Sequence, residues 1–285
     1  MASASSTGSS LCSERLLGKV AVVTGGANGI GASIVRSFLR HGAKVCVADI
    51  EDDAGHRLVE SLSFDHIFYC HCNVAVEEDV KRAVDAAVAK YGTVDIMVNN
   101  AGITGPFGAD IRNVDISMFE QVFDVNVKGV FSGMKHAARV MIPKKKGAII
   151  STCSVAGVMG GVGPHAYTGS KHAVVGLTKS AACELGQHGI RVNCVAPYGV
   201  VTGLSLSIVP HKKGTDEEKL AVAALRHDMA EKANLKGVEL TANDVANAVV
   251  FLASDEANYI SGVNLMVDGG FSAVYNSFRN LAQIE

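Results

Sequence analysis

The stretch "KVAVVTGGANGIGASIVRSFLRHGAKVCVAD", Lys19–Asp49, decides the fold. It opens on the apolar, β-branched run "KVAVVTG", turns through glycines, continues as the amphipathic "GASIVRSFLRHG" and ends in a second strand run, "AKVCVAD". Strand, tight turn, helix and strand in that order make a βαβ unit, whose two strands lie parallel.

The same rhythm runs outward along the chain. Further strand patterns are "HIFYCHC" (His66–Cys72), "VDIMVNN" (Val94–Asn100), "GAIISTC" (Gly147–Cys153), "IRVNCVA" (Ile190–Ala196) and "VNLMVDG" (Val263–Gly269). Amphipathic segments such as "EEDVKRAVDAAVAKYG" lie between them, this one ending at Gly92 as a helix stop. Strands apolar almost throughout are covered on both faces. The expectation is an α/β protein: a doubly wound, Rossmann-type parallel sheet of about seven strands flanked by helices, in one domain covering 16–285. One region breaks the rhythm. Gly203–Lys236 mixes apolar residues with the polar "HKKGTDEE" and reads as a lid over a pocket or as a structural helical excursion.

Composition narrows the function classes. Of 285 residues, 48% are hydrophobic and 19% charged, which supplies a large core. The formal net charge is −2, and the "KKK" at Lys144–Lys146 has no basic face around it, so nucleic acid is not expected as a partner. Seven scattered cysteines, Cys12, Cys46, Cys70, Cys72, Cys153, Cys183 and Cys194, point to reduced thiols in a cytoplasmic protein. "CHC" at Cys70–Cys72 lacks a second ligand pair, so no metal is expected and core packing is the better reading. Residues 1–15 are Ser-rich without the features of a secretory signal and read as a disordered tail. No apolar run reaches the roughly 18 residues of a membrane span.

The glycines Gly25, Gly29 and Gly31 of "TGGANGIG" follow a strand and open a helix, leaving a helix N-terminus to face an incoming pyrophosphate. The second strand ends in Asp49, 18 residues past Gly31, where a carboxylate accepts from ribose hydroxyls and repels a 2′-phosphate. With no Arg or Lys from Gly25 to Gly31 or just after Asp49, the expected cofactor is NAD rather than NADP.

"AYTGSKHAVVGL" begins a helix with Tyr167 and Lys171 four residues apart on one face. A neighbouring ammonium favours the phenolate, but a lone pair at this spacing is common by chance and usually lies on a surface. In order along the chain stand the glycine turn, "NNAG" at Asn99–Gly102, Asn126 in "DVNVKG", Ser154 thirteen residues before Tyr167, and Tyr167 with Lys171. This set resembles the short-chain dehydrogenase/reductase family from Leu16 to Phe271. The resemblance implies a tetrad of Asn126, Ser154, Tyr167 and Lys171. Tyr167 is then the base and Ser154 the substrate-oxygen donor. Lys171 holds the nicotinamide ribose, and Asn126 holds a relay water. It also implies cofactor contacts from Gly25, Asn28, Gly29, Ile30 and Gly31, from Asp49, and from Asn73 and Val74 beside the adenine. Asn100, Ala101 and Gly102 back the adenosine, while Pro197, Val200 and Thr202 lie at the carboxamide. Where relatives usually carry Asp, this chain has Asn73, and weaker nucleotide binding is expected.

"MKHAARVMIP", "GGVGPHAYTGSKHAVVGLTKS" and "NLKGVELTANDVANAVVFLAS" are similar to stretches of the plant dehydrogenases that oxidise terpenoid and phenolic alcohols. That resemblance implies oxidation of a nepetalactol-like lactol, xanthoxin or borneol in a pocket of Thr152, Ser154, Val155, Met159, His165 and Tyr198, beside Val158. Tyr198 lies near that pocket or simply on the strand end; His165 is a polar handle or a helix-start residue. The other enzymatic reading is a non-redox cyclase or isomerase on the NAD-bound scaffold. A redox-dead binding protein is disfavoured by the intact Tyr167 and Lys171. Hydrolysis by "STCS" is disfavoured because no G-x-S-x-G elbow or triad histidine accompanies it. The family resemblance further implies a homotetramer.

Overall fold

The computed structural model describes residues 14–108 and 110–273. Seven strands form one parallel sheet: β1 (Val20–Thr24), β2 (Lys44–Asp49), β3 (Ile67–His71), β4 (Ile96–Asn99), β5 (Gly147–Thr152), β6 (Ile190–Pro197) and β7 (Asn264–Val267). Their spatial order is β3-β2-β1-β4-β5-β6-β7. Three longer helices follow in the first half, α1 (Gly29–Arg40), α2 (Asp52–Leu62) and α3 (Glu77–Tyr91). After them come α4 (Ile116–Phe123), α5 (Gly129–Lys144), α6 (His165–Gly186), α7 (Gly203–Leu206), α8 (Asp216–Lys232) and α9 (Ala242–Ala253).

The sheet carries a packed core on each face. On one, Ile34, Val35, Phe38 and Leu39 of α1 meet Val245, Val249 and Val250 of α9 over Val23, Val47 and Val98. On the other, Val80, Val84 and Ala87 of α3 and Met134 and Met141 of α5 cover Val22, Met97 and Ile149. Each fully buried Val, Ile, Phe or Met among them contributes about 1.5–3 kcal/mol. The helix α3 shows the local logic: three acids, Glu77, Glu78 and Asp79, fill its first turn, and Gly92 stops it at φ 84°. A capping box of Thr241 and Asp244 starts α9.

The expected tail falls mostly outside the described residues, but its last residue differs from the expectation. Arg15 is anchored by a two-bond ion pair to Glu256, at 2.7 and 2.6 Å, and Leu16 is fully buried. The 203–236 region is helical, with α7 and α8 joined by a polar turn, and it contains no strand.

Candidate active site

Strand order reverses between β1 and β4, and in such sheets the crevice opens at the C-terminal strand ends beside that switch. A cleft of about 1500 Å³ lies there. The turn after β1 forms one wall, with Gly25, Asn28, Gly29 and Ile30 facing the space. Gly25 has φ +59°, and a Cβ on it would lie 2.8 Å from Ala101 Cα. Gly31 does not line the cleft. It packs behind the turn, where a Cβ would fall 1.9 Å from the Gly25 carbonyl oxygen, so only glycine lets the helix start this close. Asn100 crosses from the end of β4, its Nδ2 donating to the Thr24 and Gly25 carbonyls at 3.2 and 3.0 Å.

The far end of the cleft holds Asp49, Asn73 and Val74. Asp49 is 7% exposed; its two oxygens accept Ala27 N–H at 2.9 Å and Glu51 N–H at 3.1 Å. A carboxylate accepts about four hydrogen bonds, so each oxygen retains capacity toward the cleft. The amide oxygen of Asn73 is engaged by Ala75 N–H at 3.1 Å, and its backbone N–H by Asp79 at 3.0 Å. That side chain therefore serves its own loop first.

The other half of the cleft brings Ser154, Tyr167 and Lys171 together. Lys171 is 4% exposed, with Nζ 5.4 Å from the centroid of the Tyr167 ring and 2.9 Å from the Thr152 carbonyl it donates to. Ser154 caps a short 3-10 turn, its Oγ accepting Ala156 N–H at 3.1 Å. Gly102 stands beside the lysine, a Cβ there lying 3.6 Å from Nζ.

Asn126 sits in a π-helical turn, Asp124–Lys128, between α4 and α5, and is wholly buried. Its Oδ1 accepts Ile103 N–H, and its Nδ2 donates to the Ile103 carbonyl and to Ser170 Oγ, each at 2.9 Å. The side chain is thus a brace between the β4 loop and α6, outside the cleft lining. Ser170 was not picked out by sequence; its hydroxyl donates to the Tyr167 carbonyl at 2.7 Å. A polar residue three positions past the tyrosine, on the buried helix face, was the available signal.

Cys153 is buried on the core side, its thiol 3.4 Å from the Lys171 carbonyl. A hydrogen bond from Cys194 holds it below the usual thiol range and pushes Cys194 up.

Of the expected substrate pocket, Thr152, Val155 and Tyr198 line the cleft. Tyr198 stacks on Phe271 with centroids 4.2 Å apart, and Met229 of α8 packs against Gly199. His165 lines a side chamber of about 280 Å³ with Met118 and Phe119, which shares Phe107 and Val162 with the cleft. Met159 lines neither space. Pro197, Val200 and Thr202 border the cleft where β6 ends, and Thr202 stands across from Gly29.

Residues 25–272 match the family model described as Enoyl-(Acyl carrier protein) reductase. Among curated proteins, (+)-borneol dehydrogenase 2 of Salvia officinalis is 62% identical over 266 residues, covering 93% of each chain. The chain belongs to the short-chain dehydrogenase/reductase family. Xanthoxin dehydrogenase of Arabidopsis thaliana is 60% identical, covering 96% of this chain and 97% of that one. The crystal structure of levodione reductase superposes with a TM-score of 0.79 at 28% identity, over 92% of this chain and 100% of that one. In class, this short-chain dehydrogenase/reductase is an alcohol dehydrogenase.

Membership of the family implies a nicotinamide dinucleotide, and the cleft fits one. The glycine turn leaves a hollow that side chains would fill, α1 has no acid in its first turn, and its N-terminus faces that hollow. Pockets for one small ligand span about 300–1,000 Å³, so 1500 Å³ leaves room for a substrate as well.

Proposed function

We propose that the protein is an NAD-dependent oxidoreductase that converts a hydroxyl or lactol of a terpenoid-type substrate to the carbonyl or lactone. The observation that carries this reading is one cleft with Asp49 and the glycine turn at one end and Tyr167, Lys171 and Ser154 at the other. Gly25, Asn28, Gly29 and Ile30 would hold the pyrophosphate, Asp49 the adenosine ribose, and Lys171 the nicotinamide ribose. When bound, the dinucleotide supplies the two-electron acceptor for the carbinol hydrogen.

The chain's own part is acid–base chemistry and orientation. Ser154 Oγ donates to the substrate oxygen, and the Tyr167 phenolate oxygen takes its proton. The buried Lys171 ammonium stands 5.4 Å from the centroid of that ring. The apolar side of the cleft, with Val155, Met229 and the Tyr198–Phe271 pair, suits a hydrocarbon body over a sugar or a charged acid. Leu204, Leu206 and Ile208 also border the cleft, which supports the 203–236 region as its lid. The names of the two curated relatives, borneol and xanthoxin dehydrogenase, support a terpenoid alcohol as substrate and a place in plant specialised metabolism.

The acidic run Glu51, Asp52 and Asp53 after Asp49 supports NAD over NADP. The unpaired thiols are in keeping with a cytoplasmic enzyme, and no helix among the described residues is long and apolar enough to cross a membrane. Phe131 of α5, 53% exposed, supports assembly into a homotetramer through the helices around Asn126 and Tyr167. The test is incubation of pure protein with borneol, xanthoxin and nepetalactol in the presence of NAD or NADP. NADH formation with at least one alcohol, and slower turnover with NADP, is the expected result. Product without NADH would replace this reading by a cyclase or isomerase, and equal use of NADP would overturn the role given to Asp49.

A further inference from the structure

Thr152 is the last residue of β5 and is 8% exposed. Two of its groups bond in different directions. The hydroxyl donates to Asn100 Oδ1 at 3.1 Å, and the carbonyl accepts from Lys171 Nζ at 2.9 Å. Asn100 continues the line, donating from Nδ2 to the Gly25 carbonyl at 3.0 Å. The carbonyl of Gly25 is the atom that a Cβ on Gly31 would strike, so this line of bonds ends inside the tightest part of the glycine turn.

The ends of β1, β4 and β5 are therefore laced together where the ladder bonds between strands stop. Chemistry fixes the direction of the lacing. With both protons of Nδ2 given to the Thr24 and Gly25 carbonyls, the amide of Asn100 has only its oxygen left for the β5 side. That oxygen needs a donor, and among the residues of β5 the hydroxyl of Thr152 supplies it. An aliphatic side chain here would leave a half-buried acceptor unpaired and the amide free to turn.

We infer that Thr152 is a positioning residue whose hydroxyl couples the dinucleotide-binding turn, through Asn100, to the strand end that holds Lys171. It touches neither reacting atom; it sets the turn and the lysine in one register. The inference rests on the dinucleotide-binding reading above, and its test keeps the two apart by measuring binding without turnover. NAD and NADP are each titrated against the wild type and against Thr152→Val, Thr152→Ser and Thr152→Ala, with thermal unfolding followed in parallel. A hydrogen bond is worth about 0.5–1.5 kcal/mol net, so Thr152→Val and Thr152→Ala should raise the Kd by roughly two- to twelvefold. Thr152→Ser should bind like the wild type.

The serine and alanine variants differ by the hydroxyl alone, so that pair decides even where the valine variant fails to fold. Valine binding as wild type, or serine as weak as alanine, overturns the inference and leaves a packing role. A wild type that binds neither NAD nor NADP overturns the dinucleotide reading, and this inference with it.

Discussion

Tyr167 and Lys171 are separated by one helical turn, and the ammonium lies 5.4 Å from the ring centroid. Removing the phenol alone therefore tests the base directly. Tyr167→Phe should lower kcat by about 10²–10⁴-fold, the usual share of general acid–base catalysis, while NAD still binds. Retained turnover by this variant would exclude Tyr167 as the base. At this scale the sequence was legible where chemistry needs particular atoms at a fixed spacing: Gly25, Asp49, Ser154, Tyr167 and Lys171 all reach the cleft. It was less legible for residues that brace others. Asn126 serves as a buried strut with Ser170 as its partner, and Gly31 as a close-packing position, because contacts far along the chain leave no periodic trace.

Among the elements, the short turn after β7 shows how a distant segment shapes the site. The carboxylate of Asp268 accepts Gly270 N–H, Ser272 N–H and the Ser272 hydroxyl, at 2.9, 2.9 and 2.6 Å. Those bonds fix the 3-10 turn Phe271–Ala273, and with it the ring that stacks on Tyr198 at the cleft wall. Asp268→Ala should release Phe271 and weaken the aromatic pair, worth about 0.5–1.5 kcal/mol. The KM for an apolar alcohol should then rise roughly two- to tenfold, with the KM for NAD unchanged. A parallel rise in both would mean that the turn supports the whole fold rather than the substrate wall. The strands, the stop of α3 at Gly92 and the break after β6 were readable from pattern, since period and turn chemistry are local. The positions of Met159 and His165 were not. They depend on how the 3-10 turn after β5 redirects the chain into α6.

Across the whole molecule, several carboxylates tie elements together and sit below the usual carboxylate range. Burial alone pushes Asp79 and Asp268 up. The Asn73 N–H with Arg82, and the Ser272 and Gly270 donors, more than offset it. The Lys19 ammonium lowers Asp255, joining the start of β1 to the end of α9. Groups depressed in the folded state bind protons more readily in the unfolded chain, where Asp titrates near about 3.9. Their contribution is complete above that value and is lost as pH falls through it toward the lower folded values. The unfolding midpoint in urea should hold steady from about pH 7 to 5 and drop between about pH 4 and 2. A midpoint unchanged down to the acid end would show that these bonds persist without ionisation.

The sequence by itself determined the layer architecture, the strand count, the glycine turn after β1 and the order of the chemical groups. Each follows from local pattern: strand and helix periods, the need for glycine at a positive φ or a close approach, and a four-residue spacing on one helix. Only the tertiary structure decided which groups share a space and which brace one another. The line from Gly25 through Asn100 and Thr152 to Lys171, the strut role of Asn126 and the Tyr198–Phe271 wall are contacts between residues far apart in the chain. A parallel sheet collects its strand ends at one edge whatever their separation in sequence, so such contacts come into existence only when the sheet closes.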